Sequence, residues 1–256
     1  MSLRAFRATA VCLCLFLLAA IWAVPSHAIT KDFNQNYPLQ PGGTFELQNV
    51  NGTVEVQGWD RNEVEVHAVK TAKQGETDLE RVSIEVEARP NAVSVTTRYP
   101  QNEGVEVAVE YTIHVPHGAR VEHIGTVNGT LRISGLENVE DLHTVNGDIE
   151  VFEAGGNIHA HTTNGNVHLE LAHAPDKSGA TAETTNGSLV LAVPSDLQAE
   201  LEARCLNGNF YSELPITVES SQRPREVHGK LGRGGAPIRL RTVNGGIRLI
   251  VLRSTV

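Results

Sequence analysis

The chain has 256 residues, 40% of them hydrophobic and 5% aromatic, and a formal net charge of −9. This acidic balance argues against nucleic acid as a partner, because phosphate binding needs clustered positive charge. Of the three cysteines, two lie in an apolar N-terminal run, so no internal disulfide framework is expected and burial must hold the fold.

Residues 1–28 have the pattern of a signal peptide. Arg4 and Arg7 precede an uncharged apolar run, and Ser26-His27-Ala28 has the small-x-small form that signal peptidase recognises. The run approaches the length of a membrane span, so an uncleaved anchor is the alternative. Cleavage after Ala28 predicts an exported protein of the periplasm or cell surface that does not span the membrane. The processed chain would carry 19 Lys and Arg against 30 Asp and Glu.

A less regular β region is predicted over residues 29–121. We interpret it as a cap on the repeats that follow, or as a small sandwich fused to them. Its inward-facing apolar residues alternate in the same way as those of the later repeats, which also allows it to be the start of the repeat stack. The only helix-tolerant segment is Ala72–Glu80. Alternation of apolar and polar residues indicates strands at Thr44–Val50, Gly52–Gln57, Glu63–Ala68, Val82–Ala88, Ala92–Tyr99 and Val105–Val115.

Residues 122–256 are dominated by an internal repeat. Each unit is a short strand, an Asn-Gly pair and another strand, as in TVNGTLRI and TTNGNVHL, and successive pairs are 18, 18, 22, 21 and 37 residues apart. An outlying copy precedes them in the N-terminal region. The seven pairs are Asn51-Gly52, Asn128-Gly129, Asn146-Gly147, Asn164-Gly165, Asn186-Gly187, Asn207-Gly208 and Asn244-Gly245.

Two architectures can use this unit. Asn-Gly is the strongest local signal for a type I′ hairpin, which would build an antiparallel meander or barrel. Alternatively, each unit of about 20 residues is one coil of a solenoid with Asn-Gly at a corner. Only the solenoid explains why the residue two before Asn also recurs, since equivalent residues then stack at about 4.8 Å. That column reads Thr126, Thr144, Thr162, Thr184, Cys205 and Thr242.

The sequence therefore predicts an all-β fold, a β-solenoid or β-helix capped by the N-terminal β region. We expect the Asn-Gly pairs to be structural. The Asn side chains are predicted to face inward beside the Thr column and to find hydrogen-bond partners along the stack. The Gly residues are predicted to supply positive φ at the corner.

The leader, the segment GTFELQNVNGTVEVQGWDRNEVEV and the serial TVNG and TTNG units resemble the bacterial putative-adhesin family of β-strand-repeat proteins, a domain family of unknown function. The resemblance extends from about Phe33 to Val251. It implies a β-helical fold and an envelope location, and it supplies no catalytic residues. The chain departs from the repeat at Cys205-Leu206 and in the loop Arg223–Pro237.

Catalytic signals are weak. No Gly-x-Ser-x-Gly elbow is present, and Cys205 falls in the inward column, where an apolar setting makes a thiol inert. A polysaccharide-active β-helix enzyme remains an alternative, but the outward position four after Asn is a mixed set typical of a solvated ladder. That position reads Arg132, Glu150, His168, Val190, Tyr211 and Arg248.

Histidines form the sharpest chemical feature. In the solenoid register, His143 and His161 share one outward column, and His123, Asp141 and His159 share the next. Imidazole with carboxylate suits zinc, nickel or copper(II), so a metal-binding or pH-sensing periplasmic protein is the second hypothesis. A His-rich solvated face is the simpler interpretation, and no metal or cofactor is assigned.

We favour a non-enzymatic envelope protein that presents a long β surface to an extracellular or envelope protein or glycan, because repetition makes extended surfaces. The C-terminal strand Ile247–Val251 is predicted either to dock on another chain or to be covered by the loop 223–237.

Overall fold

The computed structural model describes residues 28–73, 75–100, 104–173, 175, 177, 179–223 and 225–253. The predicted signal peptide, residues 1–28, lies outside the described residues except for Ala28. Among the described residues, no helix is both long enough and apolar enough to span a membrane.

The described residues form strands almost throughout, with one six-residue helix, α1 (Glu76–Arg81). In the N-terminal region the strands are β1 (Ile29–Pro38), β2 (Thr44–Gln48), β3 (Val54–Trp59), β4 (Glu63–Ala72), β5 (Ser83–Arg89), β6 (Ala92–Arg98) and β7 (Val107–Pro116). From residue 120 they are β8 (Arg120–Gly125), β9 (Leu131–Ser134), β10 (Asn138–Asn146), β11 (Ile149–Ala154), β12 (His159–Asn164), β13 (Val167–Leu171), β14 (Ala180–Asn186), β15 (Leu189–Val193), β16 (Ala199–Asn207), β17 (Phe210–Ser212), β18 (Ile216–Arg223), β19 (Glu226–Leu231), β20 (Ala236–Asn244) and β21 (Ile247–Val251).

The strands make two sheets. Sheet I has ten strands in the order β1-β4-β7-β3-β9-β11-β13-β15-β21-β17, and sheet II has eleven in the order β18-β19-β16-β20-β14-β12-β10-β8-β2-β6-β5. Each Asn-Gly corner from residue 128 onward joins a strand entering from sheet II to one leaving in sheet I. We call one such pair of strands with its corner a coil.

Neighbouring coils pair in parallel and in register. Between β10 and β12, for example, Thr144 is opposite Thr162 and Asn146 is opposite Asn164. The predicted all-β class and parallel stacking are confirmed, and the antiparallel hairpin alternative is wrong. A two-residue Asn-Gly connection is compatible with both an antiparallel hairpin and a solenoid corner. The columns that recur on either side of it distinguish the two architectures.

The coils do not stack in the order of the sequence. β20 lies between β14 and β16, and β21 lies between β15 and β17, so the last repeat is inserted between the two that precede it. Both expectations for the C-terminal strand are therefore wrong. β17 covers β21 over Phe210–Ser212, while β18 and β19 pair with each other and β19 pairs antiparallel with β16, which extends sheet II.

The core is a stack of aliphatic side chains between the sheets. The position three after Asn is fully buried in five successive coils and half-buried in the last, at Phe210. Each such burial contributes about 1.5–3 kcal/mol, so the repeat is itself the main source of stability. The five buried residues are Leu131, Ile149, Val167, Leu189 and Ile247.

The N-terminal strands continue the same two sheets. β2 and β3 pair in parallel with β8 and β9, and the predicted boundary between residues 121 and 122 falls inside β8. The β5–β6 hairpin extends sheet II beside β2. Lys70 binds the segment around α1, donating from Nζ to the carbonyl oxygens of Leu79 and Val82, each at 2.7 Å.

Candidate functional site

The threonine column lies in the core and ties each coil to the one before it. Thr126, Thr144, Thr162, Thr184 and Thr242 are at most 4% exposed. Thr144 Oγ1 donates to the carbonyl oxygen of Gly129 at 3.0 Å, and the next three threonines repeat this bond at 2.8–2.9 Å. A buried hydroxyl must be satisfied, and the preceding corner supplies the acceptor.

The turn asparagines face solvent, so the prediction that they point inward is wrong. From Asn128 onward all six are exposed. Each Nδ2 donates to the Oδ1 of the neighbouring coil's asparagine at 2.7–2.9 Å, which makes a continuous amide ladder from Asn51 to Asn207. The chain reverses direction at the corner, which interrupts the alternation of inward and outward side chains assumed from the sequence.

The corner glycines are required by close stacking more than by positive φ. Only Gly52 and Gly245 of the seven have positive φ. A Cβ added at Gly129, Gly147 or Gly165 would lie 1.9–2.0 Å from the carbonyl oxygen of the preceding corner glycine. The expected conformational role is therefore wrong for most corners, and a steric role replaces it.

Cys205 takes the threonine position in the terminal coil, β16–β17. It is 1% exposed, and burial raises the pKa of its thiol above the ordinary value. Its Sγ lies 3.9 Å from the carbonyl oxygen of Arg225, so it does not reproduce the bond that threonine makes to a corner glycine. An inert structural thiol fits this setting.

The outer face of sheet II brings the predicted histidine patch together. Asp141 is in register with both His123 and His159, and His143 is in register with His161. His123 Nδ1 lies 2.7 Å from Asp141 Oδ2, and the rings of His143 and His161 stack with centroids 5.4 Å apart and an interplanar angle of 3°. Burial and the neighbouring His161 lower the pKa of His143.

This patch does not form a metal centre in the structure. Among the residues described, no group of three or more His, Cys, Asp or Glu is arranged to hold a metal ion. The rings of His143 and His161 stack face to face. Each of the other contacts in the patch joins only two residues. His161, for example, lies 3.7 Å from Glu183, its neighbour in the column.

The column that contains His161 and Glu183 leads into a trough of about 1190 Å³. The trough lies where β12, β14, β16 and β20 end and β19 begins. Its floor combines charged side chains with the exposed apolar residues Leu206 and Val243, which are 58% and 38% exposed. Arg225, at the start of β19, donates from Nη1 to the carbonyl oxygen of Leu206 at 2.6 Å and lines one side. The trough is lined by His161 and by the charged residues Glu183, Arg204, Arg225, Glu226 and Arg241.

Ion pairs hold the trough arginines in position. Arg241 Nη2 lies 3.0 Å from Glu202 Oε1, and Arg204 bonds to Glu226. Hydrogen bonds from His228 and from Arg204 lower the pKa of Glu226. Across the sheet the charged side chains follow one another in the order Glu183, Arg241, Arg204 and Glu226, and they are open to solvent.

Sequence reasoning identified the histidine end of this surface but missed the trough. The missed residues occupy two columns of the repeat. The position one before Asn contains Thr185, Leu206 and Val243, and the position three before Asn contains Arg204 and Arg241. Reading those columns would have found them. The contribution of the β18–β19 hairpin has no repeat signal.

A second cluster lies on the outer face of sheet I. The ring of Trp59 stacks on His114 with centroids 5.1 Å apart, and the guanidinium of Arg61 lies 4.8 Å from the Trp59 ring centre. His114 Nδ1 is 3.1 Å from Glu65 Oε2. These residues lie outside the Asn-Gly repeat, and repeat alignment gave no signal for them.

Two open sheets of mostly parallel strands, with polar ladders outside and aliphatic stacks inside, define an all-β, solenoid-like protein. The chain belongs to the Toastrack DUF4097 family, whose model matches residues 24–249. The resemblance seen in the sequence is thereby confirmed.

One solved structure has the same kind of fold at low identity. A structure described as a putative cell adhesion protein from Clostridium sporogenes is 13% identical, covers 87% of this chain and 100% of its own, and has a TM-score of 0.53. A putative adhesin from Bacteroides fragilis is 14% identical over 86% of this chain and 97% of its own, with a TM-score of 0.33. The second score is too low to define a fold. Among curated proteins, none matches this chain significantly.

Proposed function

We propose that the protein is an exported, non-enzymatic envelope protein that binds an extracellular or envelope protein or glycan through the outer face of sheet II. The observation that carries this proposal is the trough, where Leu206 and Val243 are exposed among charges held in ion pairs. Exposed aliphatic side chains bordered by charges are typical of interaction surfaces. The likeness to a structure named as a cell adhesion protein supports the same class of function.

Export and domain organisation belong to the same proposal. Residues 1–28 act as a cleaved signal peptide, residues 29–121 close one end of the stack, and residues 122–256 form the repeats. β1 begins at Ile29, directly after the proposed cleavage site, which leaves the first strand intact in the processed chain. The Asn-Gly pairs then act as structural corners and the histidine patch as part of the outer surface.

The ionisation of the trough supports binding over catalysis. A glycosidase of the usual kind needs one carboxylic acid whose pKa is raised so that it can donate a proton. Glu226 has the opposite perturbation, because His228 and Arg204 both favour its ionised form. Glu183, the other acidic residue lining the trough, lies 3.6 Å from Arg241.

Capture from the native envelope tests the proposal. The immobilised full chain is compared with the double variant Leu206→Ser/Val243→Ser and with Val127→Ser, a matched control in the same column that is 36% exposed. We expect the double variant to lose at least tenfold of the captured protein or glycan and the control to retain it. Equal capture by all three chains would refute the site.

The same experiment separates the metal hypothesis. A chelator arm leaves capture unchanged if the trough binds its partner directly. Loss of capture in chelator, restored by added zinc and abolished in His143→Ala/His161→Ala, would instead assign the function to the histidine patch.

A further inference from the structure

The coil formed by β16 and β17 ends the stack, and the series of backbone hydrogen bonds between corners stops there. At earlier corners the Gly N–H donates to the Asn carbonyl of the following coil, and the last such bond runs from Gly245 to Asn207 at 3.1 Å. Within the described part of the chain no further coil follows, so the N–H of Gly208 and the Oδ1 of Asn207 lie at the end of these two series of hydrogen bonds. Such open ends invite pairing with another strand.

β17, the edge strand of sheet I, likewise has a neighbouring strand on one side only. The carbonyl of Asn209 accepts from Ile247 and the N–H of Glu213 donates to Leu249, each at 2.9 Å. Because backbone groups alternate sides along a strand, those of Phe210 and Ser212 point the other way, to the open edge.

Sheet II extends beyond this edge. It continues through β19 and β18 after β16, while sheet I ends at β17, which is joined directly to β16. Val218 is in register with Gly229, and Gly229 with Leu201, so all three share the inner face. Leu201 is 3% exposed beneath sheet I, whereas Val218 is 52% exposed.

These features bound a space that we call the terminal slot. Its sides are the open edge of β17 and the inner faces of Val218 and Val227, and its mouth is at the Asn207-Gly208 corner. Residues 213–215 cross from β17 to β18 at the opposite end, with Leu214 6% exposed. The inner faces of β19 and β18 therefore lie beyond the last described strand of sheet I, where an added strand would pair with β17.

The charge of the chain indicates what would enter it. Residues 199–256 carry nine Lys and Arg against five Asp and Glu, a net charge of +4. Residues 29–198 carry ten against twenty-five, a net charge of −15. Opposite charge accelerates and orients association, so an acidic segment is favoured at this end.

We propose that the terminal slot binds an extended, acidic segment of a partner polypeptide, which adds a strand to β17 beneath the β18–β19 hairpin. Backbone groups of Phe210 and Ser212 supply the hydrogen bonds common to strand addition. Alternate apolar side chains of the segment cover Val218 and Val227, and its acidic side chains face the solvent near the basic end. This interaction does not involve the trough residues Leu206 and Val243.

A synthetic peptide with the sequence TVNGDIEVFE, residues 144–153 of this chain, is a suitable probe. It carries the corner pattern, two inward aliphatic residues at Ile149 and Val151, and three acidic residues. Binding of the fluorescently labelled peptide to the full chain is measured by polarisation. We expect saturable binding that weakens at least fivefold between 50 and 500 mM salt, and no binding when the peptide carries Ile149→Ser and Val151→Ser.

A matched pair of protein variants locates the site. Val218→Asp places a carboxylate on the slot wall, and Val127→Asp makes the same change at a comparably exposed valine in the corner column, far from the slot. We expect at least a tenfold loss of peptide affinity in the first and none in the second, with unchanged far-ultraviolet dichroism and unfolding midpoint in both.

Three outcomes overturn the proposal: no saturable binding of the peptide, equal loss in both variants, or binding that persists in Val218→Asp. Concentration-dependent self-association that Val218→Asp abolishes and the peptide does not inhibit would assign the slot to a second copy of the chain and also overturn it.

Discussion

Thr162 donates its hydroxyl hydrogen to the carbonyl oxygen of Gly147, one coil away, across 2.9 Å. The hydroxyl is fully buried, and the acceptor is the corner glycine that must itself lack a Cβ. One bond thus joins the two columns that recur most regularly in the sequence, which explains why Thr and Gly recur together at a fixed spacing around Asn.

Thr162→Val should destabilise the fold by about 1–2 kcal/mol, because it preserves the shape of the side chain and leaves a buried carbonyl without its donor. Urea unfolding followed by circular dichroism measures the change. Thr163→Val is the control, since Thr163 is the adjacent, outward and half-buried threonine. Equal stability of the two variants would show that the hydroxyl bond contributes nothing.

Gly147→Ala should be among the most damaging single changes in the repeat. Its Cβ would lie 1.9 Å from the carbonyl oxygen of Gly129, a backbone atom that cannot move without shifting a coil. We expect a loss of about 3 kcal/mol or more. Gly118→Ala, whose Cβ would meet nothing within 4 Å, should change stability by less than about 1 kcal/mol in the same unfolding experiment.

Cys205→Thr should stabilise the terminal coil. Thr242, the neighbour of Cys205 in the column, already donates to Gly187 at 2.9 Å, and threonine at 205 would offer the same bond to Gly245. We expect a gain of about 0.5–1.5 kcal/mol, and none from Cys205→Val, which has the shape without the donor. A loss of stability in Cys205→Thr would show that the terminal coil is spaced differently from the others.

The inward columns could be predicted from the sequence, because stacking places the same position of every coil in the same environment. The order in which the coils stack could not be predicted. Cys205 and Leu206 depart from the repeat pattern, while Thr242 and Val243 follow it. The regular unit occupies an interior position, where coils on both sides constrain it, and the irregular unit lies at the end, beside the hairpin. Order therefore depends on long-range pairing of β20 with both β14 and β16, and chain spacing alone carries no signal for it.

The outer face was harder to predict than the core for a related reason. An inward side chain meets the same neighbours in every coil, so its identity repeats; an outward one meets solvent and varies. His143 and His161 could be placed in one column from the register. The inward orientation assigned to the Asn residues was wrong because the period of two does not continue through a corner.

The stacked pair His143 and His161 should make stability depend on pH. Burial, followed by the neighbouring His161, lowers the pKa of His143; Asp141 has a smaller opposing effect, and His123 adds a still smaller lowering effect. Because an unfolded histidine has a pKa of about 6.5, the unfolded chain binds more protons than the folded chain once the pH falls below that value. The contribution of His143 is therefore fully present above about pH 6.5 and is lost as the pH falls towards its lower folded value.

His143→Gln removes this group and retains a polar side chain in the column. We expect the urea midpoint of the unmodified chain to fall more than that of the variant between pH 7.5 and pH 5.5, with the two curves parallel above pH 7.5. Thr163→Gln, an outward change in the neighbouring strand β12, should keep the steeper dependence. If His143→Gln loses stability as steeply as the unmodified chain, then proton uptake below pH 6.5 occurs elsewhere and the stacked pair has no part in it.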